Sequence, residues 1–428
     1  MRVELNFGRR ELAVELDEHL SLALIRKPVM PRLAAPAAAV AAALAAPVAA
    51  SPLTAEAAGK RSACIVICDI TRPVPNGLLL PPIIRALLAA GLPADAITVL
   101  VATGLHRPNL GAELEELVGD PWVLNAVRVE NHYARDDAAH VAIGRTRSGT
   151  LVKLDRRFVE AELRIVTGLV EPHFMAGYSG GRKVIAPGVA HADTITTFHN
   201  HRFMSHSAAD NCVLAGNPLH REQVEIVQML GRVLAINTVI DEARNLSFVN
   251  FGEVLASHER AVDFVRGYVT VPVGERFHTV LTSAAGYPLD KTYYQTVKGM
   301  IAPLDIVVPG GELIIASECS EGIGSEEYRA AQRRLIDAGT DGFERAIAAQ
   351  AQAEIDEWQT QMQLKPMRHA RVSLYCPGLG EADFALTGVA RADSIAAAVS
   401  ASVLRSGSNR VAVIPEGPYL VPVYQAAA

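Results

Sequence analysis

Short β-branched runs that end in polar, Gly- and Pro-containing clusters and then pass into helical stretches recur along this chain. That rhythm constrains the fold more than any other feature, because it is the pattern of an α/β domain with parallel strands. Cys64-Ile-Val-Ile-Cys ends at Asp69-Ile-Thr-Arg-Pro, and a helix is predicted over Leu80 to Ala90, closed by Gly91. Ile97 to Ala102 ends at Thr103-Gly-Leu-His-Arg-Pro, ahead of an acidic helix from Leu110 to Val118. Leu163 to Val166 ends at Thr167-Gly-Leu-Val-Glu-Pro-His. Open parallel sheets bind ligands beyond the carboxyl ends of their strands, near the point where strand order reverses. Asp69, Thr71, Arg72, His106, Arg107, Glu171 and His173 are therefore expected to face one crevice.

The second half repeats the pattern. Strands are predicted at Thr279 to Ser283, Glu312 to Ser317, Arg371 to Tyr375 and Arg410 to Ile414, with a long polar helical region from Ser325 to Lys365. At 428 residues the chain exceeds one ordinary core. The expected organisation is two α/β domains with mostly parallel sheets, residues 1–270 and 271–428, and an active site in the crevice between them.

A formal charge of −6 offers no footprint for a polyanion, so nucleic acid is not the expected partner. The alanine-rich tract from Leu33 to Ala50 is broken by Pro36 and Pro47, too short for a membrane span, and reads as a surface helix or connection. Without a secretory apolar segment at the start, the expected location is the cytoplasm, with no membrane association. Five scattered cysteines agree with a reducing compartment, and the close pair Cys64 and Cys68 reads as buried packing.

Six of the thirteen histidines fall between His173 and His220, densest at His199-Asn-His-Arg-Phe-Met-Ser-His. Neutral imidazole binds nickel, zinc, copper and iron, but there is no His-x-x-x-His pair with a glutamate to support a zinc hydrolase. The loop Gly177-Tyr-Ser-Gly-Gly-Arg-Lys183 can approach an anionic group closely. It departs from the P-loop, since Val184 stands where a hydroxyl should hold Mg²⁺, and its lysine is available for another task such as covalent attachment of a cofactor. No Gly-x-Gly-x-x-Gly opens a helix after a strand, which disfavours an ordinary dinucleotide site. In the second half, Gln295 and Lys298 lie on one side of a predicted helix, within a turn of Tyr294, and can meet a carboxylate or phosphate.

The strings Asp69-Ile-Thr-Arg-Pro-Val-Pro, Gly104-Leu-His-Arg-Pro, Glu171-Pro-His-Phe-Met-Ala-Gly-Tyr-Ser-Gly-Gly-Arg-Lys-Val-Ile-Ala-Pro-Gly, Phe198-His-Asn, and Tyr287-Pro-Leu-Asp-Lys with Tyr294-Gln-Thr-Val-Lys-Gly-Met together resemble the nickel-dependent lactate racemase family. The resemblance runs from about residue 60 to Val413-Ile-Pro-Glu-Gly-Pro-Tyr, and the long Glu-Pro-His to Pro-Gly block is its most specific part.

It implies a racemase or epimerase of a 2-hydroxy acid that works by proton-coupled hydride transfer. The implied cofactor is a nickel-pincer nucleotide, Ni(II)-pyridinium-3,5-bisthiocarboxylate mononucleotide, covalently attached to Lys183. The family's acid and base fall on His106 and His173, and its nickel ligand falls on His199. Its cofactor- and substrate-binding groups fall on Asp69, Thr71, Arg72, Gln295 and Lys298, with Tyr294 and Trp358 near the substrate. Arg72 would clamp the carboxylate, assisted by Lys298. The implied partners are a small 2-hydroxy acid and the enzymes that synthesise the cofactor. Other outcomes for the same crevice are a 2-hydroxy acid dehydrogenase, a metal-dependent hydrolase, or a non-catalytic carboxylate-binding homologue.

Overall fold

The computed structural model describes residues 1–426. The chain divides into two compact units, one made of Val29–Phe198 and Val213–Gly267, the other of Met1–Pro28, His199–Cys212 and the chain from Tyr268 on. A single cut near 270 thus captures only part of the division, because residues 1–28 and 199–212 group with the later half.

The first unit is built on a six-stranded sheet whose spatial order is Leu246–Glu253, Leu234–Ile240, Leu163–Leu169, Ala63–Cys68, Ile97–Ala102, Arg128–Asn131. All pairings are parallel except that of the first two strands. The central strands are near-continuous Val, Ile and Leu because both of their faces are covered. Ile65, Ile67, Val99, Val101, Ile165 and Ile236 are fully buried and pack with Leu79, Leu80, Ile83, Ile84 and Leu87 of the helix Asn76–Ala89. Each such side chain contributes roughly 1.5–3 kcal/mol by leaving water. The alanine tract forms the helix Pro36–Ala45, whose Val40 and Leu44 join the same core.

Strand order explains where a site can form. From Ala63–Cys68 the chain proceeds outward on one side through Ile97–Ala102 and Arg128–Asn131, then crosses to the other side at Leu163–Leu169. The reversal lies between Ala63–Cys68 and Leu163–Leu169, which are paired neighbours. The residues that follow these two strands are Asp69 to Arg72 and Val170 to His173, at the switch point where a ligand crevice is expected.

The second unit carries a six-stranded, fully parallel sheet in the order Ala390–Arg391, Arg371–Tyr375, Val307–Ala316, Phe277–Ser283, Arg410–Ile414, Ser21–Leu24. Its edge strand comes from the amino terminus, where Ser21 to Leu24 run alongside Arg410 to Val413. The polar helical region resolves into a stretch Glu326–Ala348, interrupted by a kink at Gly339 where φ is 69°, and the helix Glu357–His369. Among the described residues no helix is long and apolar enough to cross a membrane.

Candidate active site

In the first unit the polar residues beyond the strand ends form a connected set. Asp69, only 5% exposed, accepts from His106 Nδ1 through Oδ2 at 2.6 Å and from the Thr71 hydroxyl through Oδ1 at 2.6 Å. Burial pushes the Asp69 carboxyl up, but His106, Thr71 and Arg72 more than cancel that push and hold it below its ordinary value. An ionised carboxylate only accepts hydrogen bonds, so the His106 proton at this contact sits on Nδ1 and the lone pair of the neutral ring is on Nε2. The imidazole is 42% exposed, and its backbone N–H is tied to the Thr103 carbonyl at 2.9 Å.

His173 is placed by a small antiparallel ladder in which Pro172 opposes Tyr178 and His173 opposes Gly177. Ser179 stitches that ladder to the sheet, donating from Oγ to the Leu169 carbonyl at 2.6 Å and accepting from Glu171 N at 3.1 Å. Nδ1 of His173 accepts from the backbone N–H groups of Ala176 at 3.2 Å and Met175 at 3.4 Å. In this arrangement its neutral ring carries the proton on Nε2, the opposite tautomer to His106. Both rings therefore have Nδ1 engaged by a local partner.

Arg72 forms an ion pair with Glu171 across the two strand ends, both side chains mostly buried. Arg107, which shares the strand-end cluster in sequence, turns away to Glu113 in a two-pronged pair at 2.6 and 2.8 Å.

Lys183 lies on the short helix Arg182–Ile185, behind Gly180 and Gly181, both at positive φ. This loop presses onto the sheet so closely that a Cβ on Gly168 would meet Gly180 Cα at 2.8 Å and Gly181 N at 3.1 Å. Burial, then the Arg72 guanidinium and more weakly Arg182, pull the Lys183 amine down to about 7. Arg182 itself is fully buried, donating to the Ala176 carbonyl at 2.9 Å and contacting His258 Nε2 at 3.0 Å, and burial pulls it down to about 9. His258 lies outside the His-rich stretch of the sequence, and only the fold brings it to Arg182.

In the second unit His199 is 5% exposed and its ring packs against Trp358 with centroids 5.0 Å apart. The next residue, Asn200, caps the helix His201–Met204 and donates to the Ala351 carbonyl at 2.7 Å, which holds the segment in place. Trp358 Nε1–H donates to Tyr294 Oη at 3.2 Å. Tyr294 belongs to the helix Tyr293–Ile301, capped by Thr292, and so do Gln295, which is buried, and Lys298, which is half-buried. Gln295 Oε1 is buried without a hydrogen-bond partner. Tyr294, Trp358 and His199 are thus linked by direct contacts, while Gln295 and Lys298 share their helix. Among the described residues no three His, Cys, Asp or Glu side chains converge on a metal-binding arrangement.

The geometry is accompanied by clear likenesses. Profiles of the lactate racemase N-terminal domain and the lactate racemase C-terminal domain match residues 7–211 and 275–421. The chain is 35% identical over 272 residues to the lactate racemase of Thermoanaerobacterium thermosaccharolyticum, an alignment spanning 64% of this chain and 63% of that protein, just under two thirds of its length. It is 31% identical over 366 residues to the lactate racemase of Lactiplantibacillus plantarum, covering 84% of this chain and 85% of that one. The structure of the lactate racemase apoprotein from T. thermosaccharolyticum matches with a TM-score of 0.88 at 27% identity, over 99% of this chain and 100% of the other. A protein from Thermotoga maritima shares the fold at a TM-score of 0.67 and 17% identity, over 87% of this chain and 96% of its own.

Proposed function

The chain belongs to the lactate racemase family, and from that premise we propose that it interconverts the enantiomers of a 2-hydroxy acid, with His106 and His173 moving the hydroxyl proton. The observation that carries this reading is the pair of imidazoles beyond the strand ends of one sheet, each with Nδ1 held by a local partner; proton exchange is accordingly proposed at Nε2 of each ring. The α C–H of a 2-hydroxy acid is a very weak acid, so bases alone face a large barrier. Oxidation to the planar keto acid removes the stereocentre without a carbanion. Two histidines serve this route because the hydroxyl is presented from opposite sides in the two enantiomers, and imidazole exchanges protons near neutral pH.

The oxidation needs a reversible hydride acceptor, which a bound nickel-pincer nucleotide would supply. Lys183 fits the attachment of such a group, since an amine held at about 7 is neutral and nucleophilic in a substantial fraction near neutral pH, where an ordinary lysine is almost wholly protonated. His199, fixed against Trp358, would be the protein's ligand to the nickel. Asp69 would keep His106 in the tautomer that can accept a proton, and Thr71 would orient Asp69. Arg72 would bind the substrate carboxylate in competition with Glu171, while Tyr294, Gln295, Lys298 and Trp358 would contact cofactor or substrate. Maturation would depend on the enzymes that make the cofactor.

The test is a chiral assay of cofactor-loaded protein against a panel of 2-hydroxy acids, with peptide mass spectrometry of Lys183. For at least one acid, both pure enantiomers are expected to drift to an equal mixture, and Lys183 is expected to carry a heavy adduct. Net accumulation of keto acid, or full racemase activity in protein with an unmodified Lys183, overturns the proposal.

A further inference from the structure

Cys319 and Cys376 are remote in sequence but lie just beyond the carboxyl ends of adjacent parallel strands, Val307–Ala316 and Arg371–Tyr375, whose last residues are register partners. Ser317 N donates to the Tyr375 carbonyl at 3.0 Å, extending the pairing towards the two cysteines. The turn after Cys376 folds back so tightly that a Cβ on Gly378 would stand 2.1 Å from the Glu318 carbonyl oxygen and 2.7 Å from that of Cys319. Each thiol is a close enough neighbour of the other to shift its ionisation. Cys376 Sγ also lies 3.7 Å from the Glu318 carbonyl oxygen, and Cys319 Sγ lies 3.3 Å from Ser317 Oγ and 3.6 Å from Thr296 Oγ1.

The pair is chemically unequal. The Cys319 thiol and the backbone N–H groups of Leu379 and Gly378 hold Cys376 below its ordinary value against the effect of burial, whereas burial pushes Cys319 well above it. A thiol that ionises more readily, with backbone amides beside it, next to one that holds its proton is the arrangement of an attacking and a resolving cysteine. Both cysteines are buried, Cys319 fully, and a cleft of about 440 Å³ is lined by Glu318 and Ser320, the chain neighbours of Cys319.

We propose that Cys319 and Cys376 form a redox modification site that a hydroperoxide converts to a disulfide. The Cys376 thiolate attacks one peroxide oxygen, the O–O bond breaks, and the departing hydroxide takes up a proton to leave as water. Cys319 then gives up its proton and attacks the sulfur of the Cys376 sulfenic acid; the S–O bond breaks, a second water leaves and the S–S bond forms. Two thiols are oxidised by two electrons and one hydrogen peroxide is reduced to two waters. Disulfide formation removes the Cys319 S–H, whose sulfur lies 3.3 Å from Ser317 Oγ and 3.6 Å from Thr296 Oγ1, and Thr296 follows Gln295 on the helix Tyr293–Ile301.

The full-length protein is treated with hydrogen peroxide, alkylated after denaturation, and mapped by peptide mass spectrometry. A Cys319–Cys376 linked peptide is expected, lost again on treatment with dithiothreitol, while Cys64 and Cys68 remain alkylated. In Cys319→Ser, dimedone is expected to trap Cys376; in Cys376→Ala, Cys319 is expected to stay reduced. The proposal is overturned if both cysteines of the wild-type protein stay alkylatable under conditions that oxidise a free small thiol, or if Cys212 takes the place of either partner. It is also overturned if Cys319→Ser gives no dimedone adduct or if Cys319 oxidises as fast in Cys376→Ala as in the wild type.

Discussion

Replacing Asp69 with asparagine tests the proposed role of His106 at its most sensitive contact. The Thr71 hydroxyl donates to Oδ1 at 2.6 Å, so in Asp69→Asn the amide oxygen stays on that side and the NH₂ group takes the Oδ2 position. That position faces His106 Nδ1, 2.6 Å away in the wild type. The amide then donates where the carboxylate accepted, and the ring must carry its proton on Nε2, the atom proposed to receive one. A charge-assisted hydrogen bond contributes about 1.5–3 kcal/mol, or roughly 10- to 150-fold in rate. The forced tautomer adds to this, and in a serine protease the corresponding Asp→Asn change costs about 10⁴-fold. We expect kcat to fall by about 10²- to 10⁴-fold with a much smaller change in KM. The assay compares initial rates from each enantiomer, by chiral chromatography, with cofactor occupancy matched by intact mass and folding checked by thermal melting. A fully loaded, folded variant that keeps kcat within about threefold of the wild type would refute the reasoning.

Two further outcomes follow from the loop behind the sheet. The folded Lys183 amine is held at about 7 against an ordinary 10.5, so its neutral form accumulates as pH rises through about 7. Competitive labelling of the cofactor-free protein with an amine reagent is expected to show Lys183 reacting with that midpoint, well below the surface lysines; a midpoint near 10 removes the basis for assigning it the attachment role. In Gly168→Ala the new methyl group meets backbone atoms of Gly180 and Gly181, which cannot rotate aside. The expected cost is about 1–3 kcal/mol, seen as a lower urea midpoint at unchanged slope, and a wild-type midpoint would show that the loop yields freely.

Much of the scaffold was legible from local pattern. The predicted runs at 97–102, 371–375 and 410–414 coincide with observed strands, because β-branched runs bounded by turn residues carry their own signal. The strand-end residues were legible as chemistry for the same reason. Element ends were less so: the predicted helix from Leu80 begins at Asn76, and the polar region from Ser325 is interrupted at Gly339 and again after Ala348. Arg72 read as a carboxylate clamp, yet the structure pairs it with Glu171. Arg107 read as a neighbour of His106 in the crevice, yet it is committed to Glu113.

The sequence by itself determined the α/β class, the two sheets and the list of residues able to do acid–base, amine or ligand chemistry. Those depend on side-chain identity and on hydrophobic period, which are local properties. Only the tertiary structure decided that Asp69 orients His106, that burial and neighbouring guanidinium groups lower the Lys183 amine, and that His199 packs on Trp358. It also added the amino-terminal strand Ser21–Leu24 to the second sheet and brought Cys319 beside Cys376. Strand order and register set these pairings, and register is settled by long-range packing of buried faces that no short window of sequence contains.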